Sequence, residues 1–217
     1  MHIKIDTDTV FCFDLDDTLY NELDFLKSAY KEIAQNLSPN NWTEAYATML
    51  AKFLIGQDTF QYLATRYDTP KLELISLYRN HVPNIAPFDG VLSFFEEIRN
   101  KKAKIAIITD GRSNTQRSKI KALELSTYID FMVISEEVKS KKPNKKNFEL
   151  IVNRFPANKY FYFGDNYSKD FITPNRLGWT TVALINNGKN IHVYDPSQFE
   201  KDYIPKYSIS SFLEMYW

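Results

Sequence analysis

Several things are scarce in this chain, and each shortage removes a class of protein. There is one cysteine, Cys12, in 217 residues. It cannot form an internal disulfide, and its apolar neighbours make it a packed thiol suited to a reducing compartment. Net charge is absent: 27 basic residues balance 27 acidic ones. A global field that would draw the chain to nucleic acid or anionic lipid is therefore missing, neither is an expected partner, and any phosphate binding must be local. No apolar run approaches the roughly 18 residues of a spanning helix, and Met-His-Ile-Lys-Ile-Asp at the N-terminus lacks the apolar core of a signal peptide, so a soluble, cytoplasmic protein is expected. The three histidines, His2, His81 and His192, are scattered, and none is assigned a catalytic role.

What is present is ample apolar material, 44% of residues with 15% aromatic, enough for an α/β domain carrying a smaller inserted module. The stretch Thr9-Val-Phe-Cys-Phe-Asp14-Leu-Asp16-Asp17-Thr18-Leu-Tyr20 runs from β-branched and aromatic residues into three carboxylates and a threonine. That is the pattern of a buried strand, over Thr9 to Leu15, delivering acids to a sheet edge. From Asn21 to Asn84 the spacing turns helical, with Gly56 the one glycine. Leu23 to Leu37, Trp42 to Phe53 and Phe60 to Tyr67 read as three helices. A fourth follows Asp68-Thr69-Pro70, with the proline at its first position. These four helices form an all-α module over residues 21–84.

Beyond Pro87 strand and helix alternate. Helices are expected over Phe88–Asn100, Ser113–Leu125, Asn144–Phe155 and Lys169–Leu177, and strands over Ala103–Thr109, Phe131–Ile134, Tyr160–Phe163 and Thr180–Leu184. A last strand at Tyr207–Ile209 and a helix over Ser210–Tyr216 would close the chain. Alternation of this kind predicts an α/β fold, a Rossmann-like parallel sheet with helices on both faces, formed by residues 1–20 and 85–217.

In such a sheet the carboxyl ends of the strands share one edge. Asp14 and Asp16, then Thr109-Asp110-Gly111, then Lys142-Pro143, then Gly164-Asp165 with Asp170 would meet there. Carboxylates that outnumber the one lysine repel one another without a further cation, and oxygen donors of this kind suit a hard divalent ion, Mg²⁺, which in turn attracts phosphate.

Taken in order, Asp14-x-Asp16-x-Thr18, Thr109, Lys142-Pro143 and Gly164-Asp165-x-x-x-x-Asp170 resemble the four signature motifs of the haloacid dehalogenase-like hydrolase superfamily. The resemblance covers the whole chain, because members with a helical cap insert it after the first motif, where residues 21–84 lie. It implies a Mg²⁺-dependent phosphoric monoester hydrolase acting on a small phosphorylated metabolite, a sugar phosphate or nucleotide. Asp14 would be the nucleophile that forms an aspartyl-phosphate, and Asp16 the general acid and base. Thr109 with the Asp110 and Gly111 backbone, and Lys142, would bind the phosphoryl group. Asp14, the main-chain carbonyl of Asp16 and Asp165 would hold the metal, with Thr18 and Asp170 supporting them from behind.

Plainer readings apply to the neighbours. Asp17 is expected to be a solvated turn or capping residue, and Thr18 to hydrogen-bond backbone and fix the turn. Lys139, Lys141, Lys145 and Lys146 read as wet surface around Lys142, and Arg112 as a surface residue. The aromatic residues of the helical module read as core, with Gln57 and Asp58 beside Gly56 as candidates to face the active site. An acid at position 16 argues for phosphate esters over haloacids. A phosphonate-cleaving relative would use a lysine of the module, and nothing selects among Lys27, Lys31 and Lys52. Two alternatives stay open, a sugar phosphomutase with the same motifs and a non-catalytic module that binds a phospho-ligand. After Asp170, Phe171-Ile-Thr-Pro-Asn-Arg-Leu-Gly178 replaces the small-residue step of relatives and puts the local helix in doubt.

Overall fold

A computed structural model describes residues 1–216. The strands β1 (Thr9–Phe13), β2 (Lys104–Thr109), β3 (Phe131–Ile134), β4 (Lys159–Gly164), β5 (Thr180–Leu184) and β6 (Tyr207–Ile209) form one sheet in the order β3-β2-β1-β4-β5-β6. Every pairing is parallel. β1 lies in the middle, hydrogen-bonded to β2 on one side and β4 on the other. The strand order reverses at the β1–β4 boundary, and a reversal of this kind opens a crevice at the carboxyl ends of the two strands.

All of β1 is buried because its alternate residues meet helices on opposite faces. Phe11 and Phe13 stack on Phe161 and Phe163 of β4, with ring centroids 5.0 and 4.8 Å apart, and meet Phe94 edge-on. Each aromatic pair adds about 0.5–1.5 kcal/mol to the area term. Phe212 completes this layer, 6.1 Å from Phe94. Val10 and Cys12 face the other way, into a core with Ala106, Ile108, Phe148, Tyr162, Phe171 and Trp179. A polar substitution at Val10 or Phe11 would therefore strike one layer or the other.

The chain divides into two compact units, Met1–Glu22 with everything from Ala86 onward, and Leu23–Ile85. The second unit contains almost all of α1 (Glu22–Leu37), with α2 (Trp42–Leu54), α3 (Thr59–Tyr67) and α4 (Lys71–Asn80). Leu26, Tyr30, Ile33, Ala34, Met49, Leu63 and Leu74 close its own core, with Trp42, Tyr46, Phe53, Phe60 and Tyr78 packed against it. Asp58 caps α3 by accepting from the Gln61 N–H and pairs with Lys71 at 2.6 Å, and Gln57 is exposed. Pro70 is the residue before α4, in extended backbone, instead of its first helical residue. Asp68 ends α3 in the left-handed region, φ 48°, which aspartate tolerates better than most residues.

The sheet unit holds α5 (Val91–Asn100), α6 (Ser113–Ala122), α7 (Ser135–Val138), α8 (Lys145–Arg154) and α9 (Ile172–Arg176). Several boundaries differ from the sequence reading. β1 stops at Phe13, because Leu15 already belongs to the turn that carries the acids. α5 begins at Val91 and not Phe88, since Gly90 precedes it with φ 88°, a conformation glycine adopts without penalty. The helix put in doubt after Asp170 is present but shortened to the five residues of α9, and Phe171 before it is buried in the core. The anticipated helix over Ser210–Tyr216 reduces to one 3₁₀ turn, Phe212–Glu214. Its register is set by Phe212 entering the aromatic layer. Among the described residues no helix is long and apolar enough to cross a membrane.

Candidate active site

The peptide N–H of Asp14 donates to Phe163 O at 2.8 Å, which extends the β1–β4 pairing one residue beyond the strand and fixes Asp14 beside the end of β4. Asp165 follows β4 directly. Oxygens of Asp14, Asp165 and Asp170 lie within 4.8 Å of one another. Asp170 can approach because position 164 is glycine: a Cβ there would stand 2.7 Å from Asp170 Oδ2. That oxygen accepts the Asn166 N–H at 2.9 Å.

Lys142 enters this cluster from the turn before α8, through a cis peptide to Pro143. Its Nζ is 2.7 Å from both Asp14 and Asp170 and donates to the Tyr162 hydroxyl at 3.1 Å. All three ammonium protons are thereby satisfied. Its main-chain N–H donates to Asp110 Oδ1 at 3.1 Å. Lys142 is held well above the usual lysine range, because Asp14 and Asp170 outweigh the opposing effect of burial.

The carboxylates outnumber the cations that face them. Burial, with Asp170 adding to it against the pull of Lys142, raises the Asp14 carboxyl to about 6. Burial together with Asp170 and Asp14 raises Asp165 to about 9. Such a cluster is short of positive charge, and its donors are all oxygen, which fits a hard divalent cation. A small cleft of about 120 Å³ opens here, lined by Asp14, Asp16, Asp17, Glu22, Asp110, Asp165, Asn166, Lys169 and His192. A larger groove of about 470 Å³ runs beside β3 from Arg117 to Glu137 and shares no lining residue with it.

Comparison with known proteins decides the family. Residues 11–184 match the haloacid dehalogenase-like hydrolases. The chain belongs to that family. It is 27% identical to a glyceraldehyde 3-phosphate phosphatase of Methanocaldococcus jannaschii, over 94% of this chain and 93% of the relative. It is 28% identical to the pyrimidine 5'-nucleotidase YjjG of Escherichia coli, over 79% and 84% of the two. A solved structure of a HAD phosphatase from Thermococcus onnurineus superposes with TM-score 0.62 at 22% identity, covering 95% of each chain.

Against the motif positions of this dehalogenase-like family, the structure brings together Asp14, Asp16, Asp110, Asp165 and, through Asp14, Lys142 and Asp170. Thr109 is buried at the end of β2, where its Oγ1 accepts from Gln116 Nε2 at 2.6 Å. The Gly111 N–H donates to Ser135 Oγ at 2.9 Å, so that backbone donor is engaged. Asp17 is a turn residue, φ 55°, but it is buried and not solvated. Its carboxylate accepts the Glu22 N–H at 2.8 Å and the Ile191 N–H at 3.0 Å, joining the start of α1 to a late loop. The turn is closed by backbone, Thr18 N–H and Leu19 N–H to Leu15 O, whereas the buried Thr18 hydroxyl has no partner among the described residues. Lys139, Lys141, Lys145, Lys146 and Arg112 are exposed.

Sequence reasoning missed several members of the site. Tyr162 bridges Lys142 and Asp170, and Lys169 sits 3.8 Å from Asp110. Glu22 lines the cleft, its carboxyl raised to about 8 by burial and by Asp16. His192 lines it too, although no histidine was expected there. Lys119 and Gln116 of α6 reach Asp16: Lys119 Nζ is 2.7 Å from Oδ1 and Gln116 Nε2 3.0 Å from Oδ2. The Tyr20 hydroxyl also donates to Oδ1. Burial would raise the Asp16 carboxyl, but Lys119 and these donors hold it below the ordinary carboxylate range.

Proposed function

We propose that this protein is a Mg²⁺-dependent phosphatase of a small phosphorylated metabolite, of the sugar phosphate or nucleotide class, acting through an aspartyl-phosphate on Asp14. The observation that carries the reading is the Asp14 carboxylate, 3% exposed, held by Lys142 and lining a carboxylate-rich cleft at the strand-order reversal. The names of the relatives, a glyceraldehyde 3-phosphate phosphatase and a pyrimidine 5'-nucleotidase, support both the ester chemistry and the size of substrate.

In this reading Asp14 attacks phosphorus in line. Lys142 orients the attacking carboxylate and offsets charge on the transferring group. The amide of Gln116 donates to Thr109 Oγ1, which leaves the hydroxyl proton of Thr109 to point at a phosphoryl oxygen. Asp16 gives a proton to the departing oxygen and then takes one from the attacking water. Asp14, Asp165 and the main-chain carbonyl of Asp16 would hold Mg²⁺, with Asp170 behind them. When bound, the ion supplies charge neutralisation and alignment of the phosphoryl oxygens. Residues 23–85 act as the cap that selects substrate, while residues 1–22 and 86 onward carry the chemistry.

The test is a panel of phosphate esters with magnesium, scored for free phosphate. The wild type is expected to hydrolyse at least one sugar phosphate or nucleotide, and Asp14→Asn to lose the activity by at least about 10³-fold. Turnover undiminished in Asp14→Asn would contradict the mechanism, and hydrolysis of no ester would contradict the activity.

A further inference from the structure

Asp16 is held by three residues that the phosphatase motifs do not include, Tyr20, Gln116 and Lys119. Gln116 and Lys119 stand one helical turn apart on α6, so their side chains share a face. That face is turned inward: Gln116 is 1% and Lys119 4% exposed, although lysine is almost never buried without a specific partner. Asp16 is such a partner: its Oδ1 lies 2.7 Å from Lys119 Nζ, and its Oδ2 takes a hydrogen bond from Gln116. Gln116 uses the two N–H groups of one amide for two acceptors, Asp16 Oδ2 and Thr109 Oγ1, and so ties the carboxylate to the hydroxyl at the end of β2. Space for that amide depends on Gly111, since a Cβ there would stand 2.8 Å from Gln116 Cδ. Tyr20 completes the grip on Oδ1.

We propose that Lys119 and Gln116 are positioning residues for Asp16, holding its carboxyl group in the orientation from which a proton that it takes up from water passes to the departing oxygen of the substrate. The inference rests on the phosphatase reading above. A salt bridge and an amide clamp from two positions of one helix remove the rotational freedom of the Asp16 side chain. A proton donor misplaced by about 1 Å costs on the order of 10²-fold in rate. Neither residue reaches the phosphoryl group; Lys119 acts through Asp16, and Gln116 through both Asp16 and Thr109.

Leaving groups separate this role from a structural one. Phenolate needs a proton to depart, and 4-nitrophenolate does not. The experiment measures rapid-mixing release of the alcohol from phenyl phosphate and 4-nitrophenyl phosphate, with magnesium, for wild type, Lys119→Met, Asp16→Asn and the double variant. Gln116→Leu and Lys119→Arg complete the series. Lys119→Met is expected to slow first-turnover phenol release about 100-fold with KM unchanged, but 4-nitrophenol release less than about fivefold. Gln116→Leu is expected to slow phenol release more than 4-nitrophenol release, on top of a loss common to both esters through Thr109, and Lys119→Arg to recover part of the Lys119→Met loss. Because Lys119→Met alone strips a buried carboxylate of its ion-pair partner and so lowers stability, the double variant, which buries no charge at the pair, is the safeguard. In the Asp16→Asn background Lys119→Met should change neither rate further. Equal losses with both esters in Lys119→Met, or a further loss in the Asp16→Asn background, would overturn the inference. Hydrolysis by the wild type that vanishes in Asp14→Asn is the control on the phosphatase reading. If that control fails the reading falls, and if it holds while the losses are equal only the role of α6 falls.

Discussion

Gly164 and Asp170 approach so closely that any side chain at position 164 would force the Asp170 side chain to move. A Cβ on Gly164 would lie 2.7 Å from Oδ2 and 2.9 Å from Cγ of Asp170. Asp170 in turn holds Lys142, and Lys142 holds Asp14. The glycine of Gly164-Asp165 is thus a packing requirement that reaches Asp14 through two ion pairs.

Gly164→Ala should therefore cost about 1–3 kcal/mol of stability, the usual range for overpacking a buried site, and should also depress kcat by displacing Asp170 from Lys142. Urea unfolding checks the first and steady-state kinetics the second. A variant of wild-type stability and activity would show that the cluster relaxes without cost.

Divalent metal should stabilise the folded protein, because Asp14, Asp165 and Asp170 crowd within 4.8 Å with Lys142 as the cation bonded directly among them. At a hundredfold excess of Mg²⁺ over its Kd the gain is about 2.7 kcal/mol, or roughly 2–4 °C in Tm for each kcal/mol. Thermal melting with and without Mg²⁺ measures it, and Asp165→Asn should abolish the shift. An equal shift in the variant would place the ion elsewhere.

Asp6 supplies a pH dependence away from the cleft. Hydrogen bonds from Lys159 at 2.6 Å and from the Thr9 hydroxyl at 2.7 Å lower its carboxyl to about 2. A carboxyl lowered on folding stabilises fully above its ordinary range, near 3.8, and loses that contribution as pH falls toward about 2. Asp6→Asn should melt below the wild type at pH 7, and the gap should narrow between pH 4 and pH 2. A gap that stays constant across that range would mean that the ionised carboxylate contributes nothing.

The sheet was legible because its strands have nearly continuous apolar residues and end in acids, threonine or glycine, and those ends carry Asp14, Thr109 and Asp165. Residues that act from within an element were not legible. Lys119 lies in a helix rich in basic residues, where a lysine reads as solvent-facing, and only the tertiary approach of Asp16 shows that it is buried. Tyr162 reads as one more aromatic strand residue, and its hydroxyl acquires meaning only beside Lys142 and Asp170. Asp17 read as a wet turn because its second partner, the Ile191 N–H, is more than 170 residues away. The helix expected after Ser210 failed for a packing reason, the entry of Phe212 into the aromatic layer over β1 and β4.

Under the proposed function Asp14 becomes covalently phosphorylated during turnover. The most direct measurement quenches the protein during turnover of phenyl phosphate, reduces the denatured chain with borohydride, and maps the peptide containing Phe11 to Leu19 by mass spectrometry. An aspartyl-phosphate reduces to homoserine, so the prediction is homoserine at position 14, with Asp16 and Asp165 unchanged and no conversion in Asp14→Asn. Sustained turnover with no homoserine at position 14, or homoserine at another position, would contradict the account.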